Sequence, residues 1–441
     1  MTAFDRFDPF EQRITDAIDE IAMARRPDYL DDVLQLTVRS SQRPRWTFPE
    51  RWLPMDAAVM PVGIGRRRQV RLLLLLAALA ALLIGALALI GTPRSLPPSL
   101  VKGVFERTGD LVSEVGLATT LRLTNGSVMI ADGLDLQRYD PATGQFTRFA
   151  QPQFQIRGWT QLANGDLVVL RVEEEPSDPP TGRSWVVAER LPAAGPAGTW
   201  LEIGRSAFFY LQTAVALPDG RLAILGQDFG SEALSALVFD PASGRFTRGA
   251  STPLISNGEH ATLLPDGRIL VVDQPEAPTM NLVAYDPGAD AFASLGRLPF
   301  AAEFSTTVLR DGRVLIAGGG TQVDTERALS DAAFLVDPAR GAIVPVGPLP
   351  VARWMHGAAM TADGRVLIAG GSLEGAVGTP TSSTLLFDPT SLAFVAGPTL
   401  LDGRMNPTAV TLSDGRILIF GHTTLVQGPP SGPGVRAEVF R

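Results

Sequence analysis

The feature that most constrains this chain is a short hairpin that recurs along its last three quarters. The clearest copy spans residues 355–372, where 357–361 and 366–369 are small, β-branched or apolar runs of strand length. Asp363-Gly364 lies between them, and glycine accepts the positive φ that a tight two-strand reversal needs. Gly370-Gly371 then stops the return strand and leaves room for close backbone packing. The turn recurs as Asp219-Gly220-Arg221, Asp266-Gly267-Arg268, Asp311-Gly312-Arg313 and Asp414-Gly415-Arg416, and in weaker form as Asn125-Gly126 and Asn164-Gly165. Successive turns are 39, 55, 47, 45, 52 and 51 residues apart. A period of about 40–50 residues marks a propeller or solenoid array.

A second marker follows most of these hairpins: an aromatic or apolar residue, Asp-Pro, a few turn formers and a hydrophobe. Tyr139-Asp140-Pro141 leads to Phe146, Phe239-Asp240-Pro241 to Phe246, Tyr285-Asp286-Pro287 to Phe292, Val336-Asp337-Pro338 to Ile343, and Phe387-Asp388-Pro389 to Phe394. Asp-Pro initiates turns, so each marker predicts a second hairpin, the third and fourth strands of a unit. The second unit lacks the marker, and 185–189 with 200–203 take its place. Seven units of four antiparallel strands predict a β-propeller. The spacing also predicts how the ring closes. Phe105 precedes Asn125 by 20 residues, as Phe394 precedes Asp414. Phe105 therefore occupies a fourth-strand slot with no strands before it, and 438–440 read as a third strand with none after it. Pairing the two removes two open sheet edges.

The expected architecture is all-β: a seven-bladed Kelch-like β-propeller over residues 103–441. It is preceded by a small helical cytoplasmic leader (1–69), one transmembrane helix (70–91) and a linker (92–102). Residues 72–90 are uncharged and nearly all Leu, Ala and Ile, long enough to cross a hydrocarbon core of about 30 Å. Arg66-Arg67-Arg68 and Arg71 precede this stretch, against Arg94 and Lys102 after it, which places the N-terminus inside and the propeller outside. Ala77, Ala81 and Gly85 fall every fourth residue, a spacing that allows a homodimer through this helix. In the leader, Phe10, Ile14, Ile18 and Ile21 form an amphipathic stripe behind the cap pair Asp8-Pro9, and a second helix starts at Asp28. Trp46, Phe48 and Trp52 stand among arginines and prolines and suit a membrane surface or a protein groove.

The 441-residue chain has net charge −8 and no cysteine, which excludes disulfides and thiolate metal sites. Residues 1–71 hold 12 arginines against 11 acids, so the acidity lies in the rest of the chain. An acidic external domain argues against nucleic acid as its ligand.

The repeat resembles Kelch repeats and the propeller of galactose oxidase. Gly318-Gly319, Gly370-Gly371 and Arg353 three residues before His356 carry the likeness, which covers about residues 103–441. The Kelch fourth-strand tryptophan is replaced here by Phe246, Phe292 and Phe394. Residues 11–56, through 27–34 and the Trp-Thr-Phe-Pro segment, resemble the cytoplasmic leaders of bacterial single-pass proteins that accompany sigma factors. The zinc-type motif of such leaders needs a histidine and two cysteines, which this region lacks.

The resemblance to galactose oxidase implies a copper enzyme built on a cysteine–tyrosine cross-link, and zero cysteines rule out that cofactor. The expectation is therefore a non-enzymatic domain without a cofactor. It binds an external protein or glycan, and residues 1–69 contact a cytoplasmic partner such as a sigma factor. A surface adhesion or scaffold module and a metal-dependent enzyme are the alternatives. The expected ligand-binding face gathers polar residues entering the first strands: Arg157, Trp159, Asn257, Glu259, His260, Glu303, Arg353, His356, Arg404 and Asn406, with His422 at the end of a second strand. Variable loops at 171–183, 319–332, 371–383 and 421–436 share that face, where binding is expected on a rigid scaffold.

Overall fold

The computed structural model describes residues 103–113, 118–132, 135–177, 181–193, 199–255, 260–273, 279–299, 303–323, 326–374, 379–422 and 436–441. The leader, the apolar stretch at 72–90, the linker, Asn257, Glu259 and the loop 423–435 lie outside them. Among the described residues no helix is long and apolar enough to cross a membrane. Every named regular element among them is a β-strand.

The first strand, β1 (Phe105–Asp110), is set apart from those that follow it. The first sheet holds β2 (Thr119–Arg122), β3 (Val128–Asp132), β4 (Asp135–Asp140) and β5 (Gln145–Ala150) in sequence order. The next has seven strands: β6 (Gly158–Gln161), β7 (Leu167–Glu174), β8 (Ser184–Leu191), β9 (Leu201–Ala216), β10 (Leu222–Asp228), β11 (Leu234–Asp240) and β12 (Arg245–Thr252). Three four-stranded sheets follow. One is β13 (His260–Leu263), β14 (Ile269–Asp273), β15 (Met280–Asp286) and β16 (Ala291–Leu298). Another is β17 (Ser305–Val308), β18 (Val314–Ala317), β21 (Ala333–Asp337) and β22 (Ala342–Pro345), while β19 (Gly320–Val323) and β20 (Glu326–Leu329), between β18 and β21 in sequence, form a separate two-stranded ribbon. The third is β23 (Gly357–Met360), β24 (Val366–Ala369), β25 (Thr384–Asp388) and β26 (Ala393–Ala396). The last sheet, ordered β1-β29-β28-β27, joins β27 (Met405–Thr411), β28 (Ile417–His422) and β29 (Arg436–Phe440) to the first strand.

Local chemistry explains the hairpins. In each Asp-Gly-Arg turn the aspartate Oδ1 accepts the arginine backbone N–H at 3.0–3.3 Å, and Oδ2 accepts the arginine Nε at 2.7–2.9 Å. The glycine takes φ near +86° in each, where a side chain would be strained. Two of these arginines also reach the Asp-Pro turn of the following sheet: Arg268 donates to the Pro338 carbonyl at 3.1 Å and Arg416 to the Pro141 carbonyl at 2.6 Å. In the Asp-Pro turns the aspartate Oδ1 accepts the N–H two residues on, at 2.8–3.1 Å. Val128, just after one Asn-Gly turn, pairs with Tyr139, just before an Asp-Pro turn, so both turns lie at the same end of the sheet.

The aromatic residue before Asp-Pro meets its phenylalanine across the ladder. Ring centroids are 4.7 Å apart for Tyr139–Phe146, 4.5 Å for Phe239–Phe246, 4.7 Å for Tyr285–Phe292 and 4.9 Å for Phe387–Phe394. The seam between the chain ends repeats this pair. Phe105 stands opposite Phe440 in the β1–β29 ladder, with centroids 5.2 Å apart. The N-terminal strand thus fills the fourth place of the C-terminal sheet, as the 20-residue spacing predicts. Phe105→Leu keeps the bulk and removes the ring pair. It is expected to lower stability by about 1 kcal/mol, read as a shift of the urea midpoint at constant m-value.

Seven apolar clusters lie between successive groups of strands rather than within one sheet. One packs Val128, Ile130 and Tyr139 against Leu418, Phe420 and Val439, joining the first sheet to the last. Strands buried on both faces read as continuous apolar runs, which is why the Val-Leu-Ile stretches carry no alternation.

One element differs from the expected pattern. β9 runs unbroken for 16 residues, pairing with β8 through Phe208 and with β10 from Phe209 onward. Elsewhere a proline, such as Pro152, Pro253, Pro299, Pro348 or Pro398, follows the fourth strand and ends its ladder. Leu201–Ala216 contains none. The expected fillers are in place: Trp185 lies on β8, and 201–203 open β9.

Candidate functional site

The sequence-expected site residues are placed unevenly. Asn257 and Glu259, and the side chain of His422, lie outside the described residues. Arg157 is exposed just before β6, with its backbone N–H on the Leu170 carbonyl at 2.8 Å. Trp159 points inward and packs with Leu136, Leu167 and Leu191. The remaining residues fall on four consecutive sheets, where each first strand begins. His260 opens β13, and its ring lies 4.9 Å from Phe304. Next to Phe304 are the half-buried Glu303 and Ser305. The Ser305 hydroxyl lies 2.9 Å from His356 Nε2 on the following sheet. Asn406, one sheet further, donates its backbone N–H to the Met355 carbonyl at 2.8 Å.

The backbone along this arc is constrained in a repeated way. Glu303, Met355 and Asn406 have φ of +57°, +51° and +50°, although none is glycine. Each stands eight residues before the aspartate of its Asp-Gly turn. Left-handed non-glycine residues cost of order 1 kcal/mol or more each and persist where surrounding structure holds them. The holding contacts are visible. Gly319 N–H donates to Arg353 O and Gly371 N–H to Arg404 O, both at 2.8 Å, stitching neighbouring sheets. A Cβ on Gly371 would sit 2.4 Å from the Trp354 carbonyl, and one on Gly370 2.6 Å from the Arg404 carbonyl. The glycine doublets therefore serve sheet-to-sheet packing.

Arg353 and Arg404 hold the same position in adjacent repeats, ten residues before the Asp-Gly aspartate. Both are almost fully buried, at 1% and 0% exposure. Arg404 donates from Nε and NH2 to Glu438 Oε1 at 3.1 and 2.9 Å, and to the Gly421 and Arg436 carbonyls. Glu438 is itself fully buried and also accepts the N–H groups of Leu401 and Asp402. Arg353 has only neutral acceptors: the Gly370 carbonyl at 3.2 Å, and the Ser383 carbonyl and hydroxyl at 3.1 Å. Burial pulls its guanidinium down to about 10. His356 beside it is held neutral, pulled down to about 3 by burial first and by the Arg353 charge second, while the Ala317 carbonyl acts the other way. The corner thus offers a hydroxyl, a neutral imidazole and a desolvated cation. Sequence reasoning did not single out Ser305, Ser383 or Glu438. Glu438 had a readable signal: it is a charge in 436–440 where the aligned strand 383–387 carries Leu385.

No family model matches the chain, and no curated protein matches it. Among solved structures it is similar to a fungal alcohol oxidase of the AA5 family, determined in complex with copper. The TM-score is 0.57 and the identity 15%, covering 77% of this chain and 76% of that one. The likeness establishes an all-β, galactose-oxidase-like fold. It also corrects one expectation: the matched structure is an oxidase, so the reading of this fold as non-enzymatic does not stand.

The sequence has no cysteine, and among the described residues no three His, Cys, Asp or Glu side chains come together to hold an ion. His260 and His356 are engaged with different neighbours, Phe304 and Ser305.

Proposed function

We propose that this chain is a membrane-anchored, extracytoplasmic recognition protein. Residues 103–441 form a seven-bladed Kelch-like propeller, 70–91 span the membrane, and the leader 1–69 meets a cytoplasmic partner of the sigma-factor class. The blade count is supported by counting the seven-stranded sheet as two units that share β9, alongside five sheets of four strands. The observation that carries the recognition reading is the arc of left-handed residues Glu303, Met355 and Asn406. Strain repeated at one step of three successive blades, beside half-buried polar side chains, is the arrangement of a preformed site.

The test is capture from solubilised membranes with the full chain and with a chain lacking residues 1–69. Enrichment of one sigma factor by the full chain alone is the expected outcome. No leader-dependent partner would instead leave an anchored adhesion or scaffold module. The oxidase neighbour favours a second reading, in which the propeller acts chemically on what it binds. Oxidation assays on purified protein with a panel of alcohols, with and without added divalent metal, decide it. Turnover lost in His356→Gln would place that chemistry at the Arg353–His356 corner.

A further inference from the structure

The two repeats that carry Arg353 and Arg404 are nearly superimposable in sequence position, yet they differ at one charge. Phe387 and Phe440 occupy the same place before their partners Phe394 and Phe105. Counting back two residues aligns Leu385 with Glu438. Counting back three from each arginine aligns Pro350 with Leu401. In the last sheet Glu438 neutralises Arg404 and accepts the Leu401 N–H at 2.7 Å. In the preceding sheet the carboxylate is replaced by a leucine, and the N–H donor by a proline that has none.

Arg353 is left as a buried guanidinium whose Nε makes no hydrogen bond, where the Arg404 Nε meets a carboxylate. His356 Nδ1, buried three residues further along the same segment, also makes none. The charge of Arg353 feels no carboxylate among the described residues, and burial is the only influence acting on it. Buried charges are otherwise paired, because an isolated ion in a protein interior is strongly disfavoured. An unsatisfied guanidinium N–H and an unpartnered ring nitrogen, a donor in the tautomer whose Nε2 accepts from Ser305, beside one uncompensated cation describe a receptor for a single acceptor of negative charge.

We infer that the Arg353–His356 corner binds a small monovalent anion, a halide or a formate-sized carboxylate. The ion takes the part that Glu438 plays beside Arg404. The arginine Nε and the imidazole Nδ1–H donate to it, while His356 Nε2 accepts the Ser305 hydroxyl. A multivalent or bulky anion is disfavoured by burial: Arg353 is 1% exposed, and Leu385, in the place of Glu438, belongs to the buried apolar cluster. This site lies in the wall between two sheets, and its test reads the anion alone, without the external ligand or the leader's partner.

The experiment is thermal unfolding of the purified chain at fixed ionic strength, replacing gluconate stepwise by chloride, bromide or formate. A saturable rise of the midpoint by about 2 °C is expected in the small anions. In Arg353→Met the rise disappears. In the double variant Leu385→Glu with Pro350→Ala, which copies the Glu438 arrangement, the protein is insensitive to the anion. The second variant keeps the test open should the first fail to fold. Equal midpoints in all four anions would overturn the proposal. So would a rise that persists in both variants, since it would come from the general surface rather than from this corner.

Discussion

Glu438→Gln is expected to lower the unfolding free energy by about 3–5 kcal/mol, the usual cost of stranding a buried charge. The amide keeps the shape but cannot neutralise Arg404, which has no exposure to solvent. It also weakens acceptance of the Leu401 and Asp402 N–H groups, now held at 2.7 and 3.2 Å. Asp402 in turn takes the Arg107 guanidinium of β1 at 2.6 Å, so the loss spreads to the seam. Urea unfolding of the variant measures it. The matched control is Arg404→Met with Glu438→Leu, which removes both charges and is expected to regain most of the loss. A single-variant loss below about 1 kcal/mol would mean that the pair does not govern the seam.

The second large effect is a pH dependence assigned to His356. Its folded-state value near 3 lies below the ordinary histidine value of about 6.5. Between those limits the unfolded chain takes up a proton that the folded chain refuses. Stability is therefore complete above about pH 6.5 and falls as the pH drops, by about 1.4 kcal/mol per pH unit, until pH 3. From pH 7.5 to pH 5 this single residue is expected to remove about 2 kcal/mol. His356→Gln abolishes that share, so the difference between the two proteins at pH 5 and at pH 7.5 isolates it. The carboxylates act in a separate window. Asp363, held at about 2 first by its hydrogen bonds from Arg365, loses its contribution only as the pH falls from about 4 toward 2. An identical acid slope in His356→Gln would show that the imidazole is open to water in solution.

Both effects arise where the sequence was hardest to read. The turns were legible because their chemistry is local: an aspartate, a glycine and an arginine within three residues state the geometry themselves. The seam was legible because Phe105 keeps the 20-residue distance to the next turn that Phe394 keeps. The Arg404–Glu438 pair was not, because its partners lie 34 residues apart and meet only after three strands are in register. The left-handed conformations at Glu303 and Met355 have no residue signal, and only Asn406 is a type that favours that region. The continuity of β9 was hidden for a different reason: what allows it is a missing proline, and an absence carries no motif. The expectation of a non-enzymatic domain rested on the missing cysteine. That bears on one cofactor only, whereas the resemblance to galactose oxidase, read from the repeats, agrees with the solved fold this chain matches.

The shared strand β9 has a consequence for how the ring can breathe. Elsewhere, neighbouring sheets meet through side chains and single backbone bonds, such as Gly371 N–H to the Arg404 carbonyl, and not through one strand common to both. Across β9 the same backbone is bonded to β8 at one end and to β10 at the other. Those two sheets cannot part without unravelling one of them, so any opening between sheets is easier at the other joints than across β9.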